Sequence, residues 1–172
     1  MLKYLVFIMV YFNTSLLFAN DVIDHIGHLL TGMYELETWV DGDVSYKYPD
    51  VAGTLSITNG QIGFTLDNRI NKTKTVKVIA WGDYHFSDDT FHYQYSDWKV
   101  LIVSDGEERV NDTSPWEGYR TYDLKLEEGV LLLSANNGNQ TWRLDEANLI
   151  YTDREWGEDK RFAQRIWKRI SK

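Results

Sequence analysis

The sequence predicts an all-β chain, an up-and-down antiparallel β-barrel of about eight strands. Three observations predict it. From Gly32 to Asp145, short runs of alternating apolar and polar residues are separated by tight-turn residues. One unit is especially clear: Thr54 to Thr58, then Asn59-Gly60, then Gln61 to Leu66. Asn-Gly accepts the positive φ angles of a two-residue hairpin turn. Finally, the chain is 15% aromatic, with seven Trp and eleven Tyr, and such residues suit pleated surfaces and the walls of ligand cavities. A meander of hairpins leaves two unpaired edges, and closing into a barrel removes both.

The elements follow in order. Lys3, the apolar run Tyr4 to Phe12, and Ser15 to Ala19 form an export signal with a cut near Ala19. A retained signal anchor is the alternative. Asp21 to Leu30 reads as a short helix, because Val22, Ile23, Ile26, Leu29 and Leu30 share one face. Such a helix is placed to close one barrel end. Gly32 opens the first strand, with Tyr34, Leu36 and Val40 on one face; Asp41-Gly42-Asp43 turns the chain, and Val44 to Tyr48 returns. After the Asn59-Gly60 hairpin, Thr73 to Trp81 is a strand. Gly82 to Trp98 is a second hairpin turning at Asp88-Asp89, and Lys99 to Ser104 is a further strand. Asp105 to Pro115 reads as a polar loop. Trp116 to Leu126, Val130 to Ala135 and Gln140 to Leu144 complete the meander. The tail, about 153–171, reads as an amphipathic C-terminal helix. Thr152 and Glu155 fit a capping box, and Phe162, Ile166 and Ile170 recur at helical spacing.

With 172 residues the chain is one domain, 20–172 after signal removal. It has no cysteine, which excludes disulfides, thiol catalysis, cysteine-ligated metal and a lipidated N-terminal cysteine. The net charge of −8 is uneven: residues 160–172 hold six basic side chains and no acid, leaving residues 1–159 at −14. Phosphates would be repelled by that acidic body, so no nucleic-acid partner is expected. The basic tail helix suggests a contact with an anionic membrane surface or docking on the domain's own wall. Composition leaves the oligomeric state open.

The hairpin register places Tyr84, Phe86, Phe91, Tyr93 and Tyr95 on one face. These five are the candidate ligand-binding residues, apolar walls with hydroxyls to orient a polar end. Trp39, Trp116 and Trp142 are candidates for plugging the barrel ends. His85 and His92 stand opposite one another on the other face, beside Asp83 and Gln94, and read as a surface pair rather than a metal site. His25 and His28 read as solvated helix polarity. No nucleophile elbow, phosphate loop or zincin motif occurs, so no cofactor is expected and catalytic residues are unassigned. Asp123, Glu35 and Glu37 would serve as acid or base only if they faced an apolar interior.

In sequence order, several motifs resemble the bacterial lipocalin-like domain family, within the calycin group of barrels. Leu30-Thr31-Gly32-Met33-Tyr34-Glu35-Leu36 is similar to the family's opening Leu-x-Gly-x-Trp-x-Leu, with Tyr34 in place of Trp. Gly53 to Ile57 before Asn59-Gly60 resembles its second strand and turn. Trp81 to Phe86 resembles its Gly-x-Tyr-x-Val hairpin, and Trp116-Glu117-Gly118, Leu124 to Leu133 and Thr141 to Leu144 resemble its last strands. The likeness covers roughly residues 30–146. Tyr93-Gln94 stand where members often carry adjacent histidines, which removes chemistry resting on them. The resemblance implies a barrel holding a small apolar ligand and implies no shared reaction. The expected function is an exported, periplasmic or secreted, lipocalin-like protein that binds a small hydrophobic or amphipathic molecule without catalysis. The alternatives are a filled barrel without ligand, a barrel enzyme with a buried acid or base, and an envelope module acting through the tail helix.

Overall fold

A computed structural model describes residues 25–87, 89–114 and 116–171. The export signal and the start of the first helix lie outside the described residues. A helix (α1, residues 25–30) leads into twelve strands. These are β1 (Gly32–Asp41), β2 (Val44–Tyr46), β3 (Val51–Thr58), β4 (Gln61–Asn68), β5 (Lys74–Ser87) and β6 (Thr90–Ser104). They continue as β7 (Glu107–Asn111), β8 (Arg120–Glu127), β9 (Val130–Ala135), β10 (Gln140–Leu144), β11 (Asn148–Trp156) and β12 (Arg161–Ser171). Ten of them close an antiparallel barrel in the order β1-β3-β4-β5-β6-β8-β9-β10-β11-β12, with β12 back against β1. Strand β2 pairs with the end of β1, and β7 with the end of β6.

The expected hairpins form where turn chemistry asked for them. Asn59 and Gly60 take φ of 50° and 76°, and Thr58 pairs with Gln61 across the turn. This is the double positive-φ turn that Asn-Gly favours. The segment read as Thr73–Trp81 and the first arm of the Gly82 hairpin are one long strand, β5, and the hairpin's second arm runs on through Lys99 to Ser104 as β6. Its register with β6 shifts between Trp81 and Gly82. A Cβ on Gly82 would stand 1.8 Å from the carbonyl oxygen of Gln94, so only glycine lets the two backbones approach at this bulge.

Three expectations are corrected. The segment Asp105 to Pro115 is not simply a loop, because Glu107–Asn111 forms β7 against β6. The barrel has ten strands with two accessory ones, not about eight. The C-terminal helix does not exist: residues 153–171 form the end of β11 and all of β12. The Phe162, Ile166, Ile170 spacing of four suits a helix, but it is also twice the strand period of two. Phe162 and Ile170 are exposed on the outer wall, while Ala163 and Trp167 are buried inside. Apolar residues on both faces mark a strand that closes a barrel. The membrane contact expected through that helix therefore has no helix to carry it.

The barrel floor is solid. Leu29 and Leu30 of α1 are fully buried with Tyr34, Ile57, Ile62, Phe91, Leu131, Leu133, Leu144 and Leu149. The last carbonyls of a helix lack intrahelical donors. Here Arg169, on β12, donates to the carbonyls of Leu29 and Thr31. Its guanidinium lies 4.7 Å from the Tyr34 ring centroid, and the Tyr34 hydroxyl donates to Leu30 O at 3.0 Å. One arginine thus ties α1, β1 and β12 together. Arg169→Ala should lower stability by about 2–4 kcal/mol, through the lost charge-assisted hydrogen bonds to the Leu29 and Thr31 carbonyls and a lost cation–π contact. Urea unfolding of the two proteins measures it, and a change within about 0.5 kcal/mol would refute this role.

Candidate functional site

Above the floor the barrel is hollow. A cavity of about 500 Å³ opens at the end carrying the β4–β5, β9–β10 and β11–β12 connections. Its wall follows from strand register. Trp39, Arg165, Tyr151 and Trp142 are successive cross-strand partners on β1, β12, β11 and β10. Nearer the mouth runs a second row, Asp41, Ala163, Asp153 and Gln140. The opposite wall is apolar, formed by Leu55, Phe64, Leu66, Val76 and Val78. Trp39 enters the cup because the β1–β12 register shifts between Leu36 and Thr38. That bulge moves Trp39 and Asp41 inward in place of Val40.

The expected aromatic face divides by depth. Tyr93 and Tyr95 line the cup. Phe91 is fully buried beneath them, 5.8 Å from Tyr93 and 5.9 Å from Trp142 between ring centroids. Tyr84 and Phe86 pack on Phe91, both at 5.7 Å, toward the closed end. Trp142, Trp116 and Trp39 all line the cup. Trp116, on the β7–β8 connection, reaches Tyr95 at 5.4 Å and Trp98 at 6.2 Å.

Polar groups sit on one side of this aromatic wall. The Arg120 guanidinium lies 3.8 Å from the Trp116 ring centroid and donates to Gln140 Oε1 at 3.0 Å. The Tyr122 hydroxyl donates to the same oxygen at 2.8 Å. Gln140 Nε2 in turn donates to Asp153 Oδ2 at 2.9 Å, and the Tyr151 hydroxyl donates there at 3.2 Å. Asp153 Oδ1 accepts from the Glu155 amide. Three donors therefore hold this buried carboxylate, which serves the wall and is not a free base. Burial pushes the phenols of Tyr93, Tyr95, Tyr122 and Tyr151 up, so they stay protonated donors at neutral pH.

Asp123, Glu35 and Glu37 are exposed on the outer wall. His85 and His92 are also outside, stacked with centroids 4.8 Å apart. Both His92 ring nitrogens are engaged, with Thr90 Oγ1 at 2.8 Å and Thr121 Oγ1 at 2.9 Å. Among the described residues no group of three or more His, Asp and Glu side chains is placed to hold a metal ion. Arg165, Asp153, Tyr151 and Trp156 were missed by sequence reasoning, since they fall in or beside the segment read as a helix. The alternation Ala163, Arg165, Trp167, Arg169 was the available signal.

No protein-family model, curated protein or solved structure matches this chain. The closed antiparallel barrel is compatible with a calycin-like barrel.

Proposed function

We propose that this protein is an exported, lipocalin-like carrier that holds one small apolar or amphipathic molecule in its cup without transforming it. One observation carries the reading: a cavity of about 500 Å³, walled by aromatic and aliphatic side chains, stands open above a fully packed floor. That size falls in the range of small-molecule sites, roughly 300–1,000 Å³. A barrel serving only as a scaffold gains by filling such space, because every unfilled methylene forfeits burial and contact energy. The wall also carries few polar groups, at fixed positions on one side, as orienting groups in ligand sites do.

A neutral apolar fluorophore, N-phenyl-1-naphthylamine, tests the cup. Saturable binding at one per chain is expected. Val78→Trp places an indole into the cavity from the apolar wall and should weaken binding at least about tenfold, equivalent to about 1.4 kcal/mol. Its circular dichroism and melting should stay near those of the native protein. Native protein that shows no saturable binding, or full binding retained in a folded Val78→Trp variant, would overturn the reading.

A further inference from the structure

We infer that the cup's ligand is an organic monoanion, a planar or elongated apolar body ending in one carboxylate, and that Arg165 reads the carboxylate. The inference rests on the carrier reading and adds the chemistry of the ligand's head.

Charge balance inside the cup leads to it. The lining residues include three arginines, Arg120, Arg161 and Arg165, and two acids, Asp41 and Asp153. Arg161 Nε stands 2.8 Å from Asp41 Oδ1, an ion pair without hydrogen-bond geometry, so those two charges answer one another electrostatically. Arg120 and Asp153 are joined through Gln140, which accepts from the arginine and donates to the aspartate. Arg165 is left over. Among the described residues no carboxylate lies within ion-pair distance of it, and its side chain makes no hydrogen bond. Its Nε is sealed from solvent without an acceptor. Asp153 acts on it electrostatically from farther away, but that carboxylate is already held by three donors.

Three aromatic faces surround this cation. The guanidinium lies 4.5 Å from the ring centroids of both Trp39 and Trp156 and 5.5 Å from Tyr151. Such faces offset part of the desolvation cost of a buried cation and supply no counter-charge. Burial accordingly pulls the Arg165 pKa below the ordinary arginine value. A cation kept unpaired in a low-dielectric cup, in a chain with net charge −8, raises the affinity for one incoming negative charge. The indole nitrogens of Trp39, Trp116 and Trp142 are also buried without acceptors, so the wall has donors to spare and a ligand rich in acceptor oxygens suits it. The guanidinium fork matches a carboxylate in two parallel hydrogen bonds. One leftover charge fits a monoanion better than a phosphate monoester, which carries close to two near neutral pH. The apolar wall of Leu66, Val76 and Val78 faces the ligand's body.

Two fluorescent probes with the same body separate the terms: 1-pyrenebutyrate, a monocarboxylate, and 1-pyrenebutanol, its neutral counterpart. The native protein should bind the carboxylate at least about tenfold more tightly near pH 7.5. Arg165→Gln should abolish that preference and bind both alike, while Arg165→Lys should retain part of it. If the native protein binds both probes equally, the anion inference falls and the carrier reading stands. If neither probe binds, both fall. A preference that survives in a folded Arg165→Gln variant would also overturn the assignment. Should that variant not fold, the comparison on native protein still decides whether the cup selects an anion.

Discussion

A chain that ends after Trp156 should fail to fold. This is the largest effect expected of any change considered for this protein. Removing β12 strips the barrel of the strand that pairs with β1 on one side and β11 on the other. Two long edges then present unpaired amides and carbonyls, which in a closed barrel have no other partner. The interior loses Trp167, 5% exposed, and a buried tryptophan alone is worth about 3–5 kcal/mol against alanine. It also loses Arg169 and with it the tie to α1. Together these losses exceed the total stability of an ordinary domain, about 5–15 kcal/mol. The expected readout is a truncated protein without near-ultraviolet dichroism or a cooperative melt, and prone to edge-to-edge association. A helix docked on the outside would behave differently, because deleting it would leave the barrel intact. A cooperative melt in the truncated protein would therefore sink the closed-barrel account of the C-terminus.

The same segment shows where the sequence was legible and where it was not. Through β3 to β6, β9 and β10 the pattern was readable because the turns carry their own chemistry, whereas β7 hid in the polar segment read as a loop and β8 starts at Arg120, after Trp116. Asn59-Gly60 and Gly129 take positive φ, and β9 and β10 lie where alternation placed them. The closing strand lacks such markers. A strand buried on one side and carrying exposed apolar residues on the other loses its alternation, and Phe162, Ile166 and Ile170 then fit two periods at once. The cup suffered from the same ambiguity, because half of its polar wall comes from β11 and β12. Tyr93 and Tyr95 were found from one hairpin register. Arg165 and Asp153 could be placed beside them only once β12 was known to be a strand. Bulges were the other hidden element: the shift after Leu36 reverses which face Trp39 occupies, and no residue type announces it.

Raising the pH above about 10 should destabilise the barrel steeply, through phenols that the fold keeps protonated. Burial pushes Tyr34 from the ordinary 10.0 up to about 12, although Arg169 beside it pulls the other way. Tyr93, Tyr95, Tyr122 and Tyr151 are pushed up as well, each chiefly by burial. A group whose folded-state pKa is raised binds its proton more tightly in the native protein than in the unfolded chain. Its contribution to stability is whole below the unfolded pKa, near 10, and disappears as the pH climbs toward the folded value. For Tyr34 the window is pH 10 to about 12 and the loss about 3 kcal/mol. The other phenols add losses of the same sign, so together they should exhaust the stability of the domain before all have titrated. Melting temperature should hold between about pH 8 and 9.5 and fall sharply beyond pH 10, with the tyrosinate absorbance of the buried phenols appearing together with unfolding. Tyr34→Phe isolates one member. It forfeits a hydrogen bond to Leu30 O worth about 1 kcal/mol at neutral pH, and its stability should then decline less steeply above pH 10. If the buried phenols ionise near pH 10 in a protein that stays folded, water reaches the inner wall far more freely than the packing of the cup and its floor implies.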